Sequence, residues 1–172
     1  MPGSPTEGEG AAPVAVPASD YLWFVDQALD GMVAIVRQLG DDRANRRPGP
    51  PGANSPYVIL THCLGVMEYW GGETVAERPV QRDRPAEFLA SGDVAGLLRR
   101  AEHARLRLRE DLVGLDAAAA TPAGVRRTED TEPYTRTKGP VLLHILEELF
   151  QHLGHMQITR DVLMTPAGDD DS

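Results

Sequence analysis

The sequence predicts an all-α fold, a four-helix bundle with a disordered tail at each end. Three observations carry this. Apolar residues recur three and four positions apart in four segments of about 20 residues each. No segment shows the alternating pattern of a strand, and no stretch repeats. Between the periodic segments lie runs of Gly and Pro that stop a helix. The 172-residue length suits one domain. The bundle is expected over 19–164, with 1–18, rich in Pro, Gly, Ala and Glu, as one tail and the acidic 165–172 as the other.

The first helix is expected from Asp20 to Leu39, its inner stripe being Leu22, Val25, Leu29, Met32, Val33, Val36 and Leu39. The stretch "GDDRANRRPGPPGAN" ends it. Ser55 and Pro56 form a start signal, a capping hydroxyl followed by a residue with its φ already helical. The second helix should run from there to Ala76, weakened near its end by Gly71 and Gly72. A single turn is expected at "AEFLA". The third helix is expected from the capping residue Asp93 to Leu115, with Leu97, Leu98, Ala101, Ala104, Leu108 and Leu112 facing inward. The polar connection 116–138 is long for a compact domain and implies a use, either as a crossover or as a cover. The fourth helix should run from Gly139-Pro140 to Met164. Trp23 and Trp70 are expected in the core or in a pocket wall.

A formal charge of −9 argues against a nucleic-acid or anionic-membrane partner. No run of 18 apolar residues is present to span a bilayer. "MPGSPTEGEG" lacks the basic start and apolar run of a signal peptide. The one cysteine, Cys63, excludes an internal disulfide, and a cytoplasmic location is expected. Cys63 itself reads as a buried structural thiol. Lys138 is the sole lysine; arginine supplies the other basic residues, a bias expected of a high-GC bacterial genome.

The chemistry concentrates in "EELFQHLGHMQ", Glu147 to Gln157. Glu148, His152 and His155 fall within roughly 60° on a helical wheel, on a face bordered by Leu149 and Met156. A carboxylate and two imidazoles turned inward are costly unless a partner compensates. A divalent metal would do so, with zinc, nickel and iron all suited to nitrogen and carboxylate ligands. The third ligand must come from another helix, and His62, alone on an apolar face beside Ile59 and Val66, is the candidate. His103 sits in a charged surround and is expected to face solvent. His144 is expected in the core or supporting a ligand. A hydrogen-bonded core histidine is the competing reading for His62, and the residues alone leave both open.

The segments "SPYVILTHCLGVMEYW", "RDRPAEF" and "VLLHILEELFQHLGHMQITRD" resemble the DinB-like four-helix-bundle superfamily, in particular its actinobacterial branch of mycothiol-dependent enzymes, which includes the maleylpyruvate isomerases. The likeness spans roughly residues 20–164. It implies a metal held by His62, Glu148 and His152, with His155 supporting the site or replacing Glu148 as ligand. It implies mycothiol as co-substrate, and a thiol transfer to a small electrophile or a thiol-dependent isomerisation. It also suggests a long crossover in the bundle and a homodimer. Asn54, Tyr57, Arg82 and Arg84, beside the second helix, are the expected contacts to the thiol. The alternative within the same fold is a stress protein that binds a metal or small ligand without turnover. Metal binding that responds to added thiol would separate the two.

Overall fold

The computed structural model describes residues 15–49, 51–123 and 135–165. The tail expectations for 1–14 and 166–172, and the centre of the long connection at 124–134, lie outside the described residues.

Helix α1 spans Ala18–Ala44 and buries Tyr21, Val25, Ala28, Leu29, Met32, Ile35, Val36 and Leu39. The expected stop after Leu39 is visible as a break inside it. Gly40 takes φ 66° and ψ 178°, a backbone state open to glycine, and one further turn follows. Trp23 falls off the inner stripe. It is 56 % exposed and packs edge-on against Phe24, so it lies in neither the core nor a pocket wall.

Helix α2, Pro56–Val66, starts as its sequence signals, with the Ser55 hydroxyl accepting from the Val58 N–H at 3.3 Å. Nearly every residue of α2 is buried, which makes it the central rod of the molecule. The helix then continues as a π-helical segment, Met67–Val75, rather than as regular α-helix to Ala76. The two glycines permit this. A Cβ on Gly71 would stand 2.7 Å from Leu108 Cδ1, and one on Gly72 would stand 2.5 Å from the Arg78 guanidinium carbon. Arg78 fills that space and binds Asp111 (2.8 Å) and Glu68 (2.6 Å).

Helix α3 is one turn, Arg84–Glu87, capped by the Asp83 carboxylate accepting from the Ala86 N–H at 3.1 Å. Helix α4, Val94–Asp111, is capped by Asp93 and ends a turn before the expected Leu115. It buries Leu97, Ala101, Ala104 and Leu108, and Arg105 and Arg109 pair with Asp26 on α1. Helix α5, Lys138–Met164, buries Val141, Ile145, Leu149, Met156 and Thr159. The ends of the long connection are pinned together, Lys138 N–H donating to Ala119 O at 3.0 Å and Thr121 N–H to Arg136 O at 3.2 Å.

Helix α5 packs against α1 on one side and against α2 with its π segment on the other. Helix α4 packs against the same neighbours, and among the described residues the backbones of α4 and α5 do not come close to each other. These consecutive helices therefore sit at opposite corners of the bundle. Buried α2 and the inner face of α5 meet along their middles, which sets His62 opposite Glu148 and His152.

Candidate metal centre

Position 62 lies on a helix buried all round, so an imidazole there has no water to satisfy it. His62 is 6 % exposed. Its Nδ1 lies 2.8 Å from Glu87 Oε2, and its Nε2 lies 3.6 Å from Glu148 Oε2. Helix α5 brings in the other two groups from successive turns. His152 Nε2 lies 3.2 Å from the same Glu148 oxygen. The His62 and His152 rings stand 5.1 Å apart and nearly perpendicular. One donor atom from each of His62, Glu148 and His152 lies within 4.8 Å of the others.

This spacing fits an ion. Ligands about 2.0–2.1 Å from a tetrahedral zinc stand about 3.3 Å from one another. The two separations to the Glu148 oxygen, 3.2 and 3.6 Å, bracket that value, and the third pair lies within 4.8 Å. Three protein donors on one side also leave further coordination positions open. The adjacent imidazoles of His152 and His62, reinforced by the charge of His144, hold the Glu148 carboxyl well below the usual carboxylate range, against the opposing effect of burial.

The sequence reading missed Glu87. It is buried, and it sits between His62 and Arg82, whose Nε lies 2.6 Å from Glu87 Oε1. A carboxylate on Nδ1 keeps the proton on that nitrogen and directs the Nε2 lone pair into the cluster, the usual support for a metal-bound imidazole. The contact depends on Gly65, where a Cβ would come within 2.1 Å of Glu87 Oε1. Phe88, one residue on, lies over His62 with ring centroids 5.2 Å apart. The only signal for this pair was the "RDRPAEF" stretch, which carries no periodicity.

The remaining expectations divide. His155 is exposed, with its ring 6.1 Å from that of His152, and lies outside the trio. His144 reaches Glu148 Oε1 at 3.7 Å and stacks edge-on against Trp70, which places both beside the cluster. His103 is exposed, as expected. Arg84 is exposed, with its guanidinium 5.3 Å over the Phe88 ring, one ring away from His62. Arg82 is committed to Glu87 rather than open to a ligand. Tyr57 is buried in the core, five residues and some 140° around the helix from His62. Asn54 accepts from Arg47 at the start of α2, about 12 Å along the axis from His62. Neither approaches the cluster. Cys63 is fully buried, and burial, with Glu148 and Glu87 adding to it, pushes its thiol pKa up, which leaves it inert as a nucleophile.

Among the described residues no helix is long and apolar enough to cross a membrane. No curated protein and no solved structure gives a match to the chain. A family model of the mycothiol-S-transferases matches residues 21–164, which takes in α2, the Glu87 support and the whole Glu148–His152 pair. The chain belongs to the mycothiol-S-transferase family.

Proposed function

We propose that the protein is a metal-dependent mycothiol S-transferase whose divalent cation, zinc before nickel or iron, is held by His62, Glu148 and His152. The observation that carries this reading is the convergence of those three donors within 4.8 Å, with His62 fixed from behind by Glu87. A cation held there would lower the pKa of a thiol brought to its open side, so that the nucleophilic thiolate prevails at neutral pH.

The chain's own residues do the rest. Glu87 holds the His62 proton on Nδ1, and Arg82 holds Glu87. Glu148 contributes the one negative charge among the ligands, so the site keeps net positive charge with a divalent ion and favours an anionic sulfur. Phe88 covers His62, and Trp70 packs against His144 beside Glu148. His155 and Arg84 are exposed polar groups beside the cluster and the first candidates for contacts with thiol or electrophile. The sulfur gives its electron pair to the electrophilic carbon, the leaving group departs with the pair of the broken bond, and the thiol proton passes to solvent. In this reading the work is done in the cytoplasm on a small electrophile.

The test is metal content by mass spectrometry, with thioether formation from mycothiol and a panel of electrophiles. Wild-type protein should carry near-stoichiometric metal, and His62→Ala and His152→Ala should lose both metal and turnover. Metal without thioether formation would instead favour the non-enzymatic binding protein.

A further inference from the structure

A groove of about 500 Å³ lies between α2 and α4 under the segment 80–90. Thr61, Leu64 and Gly65 of α2 and Arg100, His103 and Ala104 of α4 form its walls. No residue of α5 lines it, so it is separate from the side of His62 that faces Glu148 and His152. The size falls within the range of small-molecule sites.

Its polar groups are unevenly committed. The acceptors are used within the chain. Glu68 binds Arg78, Glu87 binds Arg82 and His62, and Asp83 caps α3. The donors are not. Arg100, His103 and Gln81 have no partner among the described residues. Arg100 and His103 are three residues apart and share one face of α4. Deeper in the wall, the Thr61 hydroxyl is buried without a hydrogen-bond partner. A buried hydroxyl is rarely left so, because its lost hydration is not replaced. Thr61 is itself one of the residues that line the groove. Leu64 and Ala104 leave room beside it for a short hydrocarbon.

We propose that this groove is a second small-molecule site, for a short-chain oxo or hydroxy carboxylate. The carboxylate meets Arg100 and His103, and the oxo or hydroxyl oxygen meets Thr61. The site does not require the metal centre.

The experiment is an amide-shift titration of the full-length protein with 2-oxobutanoate, with butanamide as the uncharged control. Wild type should show saturable shifts around Thr61 and Arg100 in the roughly millimolar range, as expected for so small a ligand. The His152→Ala variant should bind equally well. Arg100→Gln should weaken binding about tenfold through loss of a charge-assisted contact. Thr61→Val removes the orphan hydroxyl without changing shape, so it should fold at least as well and bind several-fold more weakly. The proposal is overturned if wild type shows no saturable shifts, if butanamide binds equally, or if Arg100→Gln binds like wild type. Shifts centred on α5, or lost in His152→Ala, also overturn it, because the ligand would then belong to the metal centre. Failure of the chain to load metal leaves this test intact.

Discussion

The position of one proton on His62 decides whether its Nε2 presents a lone pair to a cation. Glu87, 2.8 Å from Nδ1, sets that position. Glu87→Gln removes the charge that orients both His62 and Arg82, and metal affinity should fall roughly 10- to 100-fold in a chelator competition. An affinity equal to wild type would remove Glu87 from this role. Gly65→Ala should give the same loss by a different route, because its Cβ would come within 2.1 Å of the Glu87 oxygen. Helix content should survive both changes, which separates a displaced support from an unfolded chain. Glu148 makes a prediction about pH. Its folded-state pKa is lowered by His152 and His62, so its contribution to the stability of the metal-free protein is present above the ordinary carboxylate pKa of about 4.3 and is lost as pH falls through the folded value. Urea unfolding should show Glu148→Gln less stable than wild type at neutral pH, with the gap narrowing as the solution is acidified. A constant gap would mean that the side chain acts through packing alone.

At the scale of elements, the π segment Met67–Val75 joins the buried part of α2 to the loop that delivers Arg82 and Glu87. Its widened turn rests on Gly71 and Gly72, which let Leu108 and Arg78 approach the backbone. Gly71→Ala should cost about 1–3 kcal/mol in thermal or chemical unfolding, the usual range for an overpacked contact. An unchanged midpoint would show that Leu108 simply moves aside. These elements also show what a sequence makes legible. The stripes of α1, α4 and α5 and the caps at Ser55 and Asp93 depend on local periodicity and local hydrogen bonds, and they could be read directly. The Glu148–His152 pair was legible for the same reason, as neighbours on one helix face. The π turn was not, because both α and π conformations tolerate the same glycines, and the choice is made by Leu108 and Arg78 from outside the helix. The Glu87–Arg82 support was not legible either. It sits in a loop and one turn of helix, and only packing under α2 turns an ordinary acid–base pair into a buried one. Asn54 and Tyr57 illustrate the converse: nearness to His62 in sequence says little when the intervening helix turns them to another end or face.

Across the whole molecule, the centre is a clasp between α2 and α5, helices that the chain separates by more than 70 residues. A ligand that binds only the folded state adds RT ln(1 + [L]/Kd) to stability. Zinc at 100 times its Kd should therefore add about 2.7 kcal/mol and raise the melting temperature by roughly 5–11 °C for a chain of this size. Scanning calorimetry with and without zinc measures the increment. His152→Ala should abolish it while leaving a cooperative transition, because His152 lies off the buried stripe of α5. Leu97→Ala does the reverse. Leu97 is fully buried on α4, whose backbone does not come close to that of α5, so truncation should lower the melting temperature of both forms through a loss of about 2–5 kcal/mol. The zinc increment should nevertheless persist, since distant and unshared sites add. If Leu97→Ala also erased the increment, the donors would not be pre-positioned by α2 and α5 alone, and the cluster would depend on the entire bundle being intact.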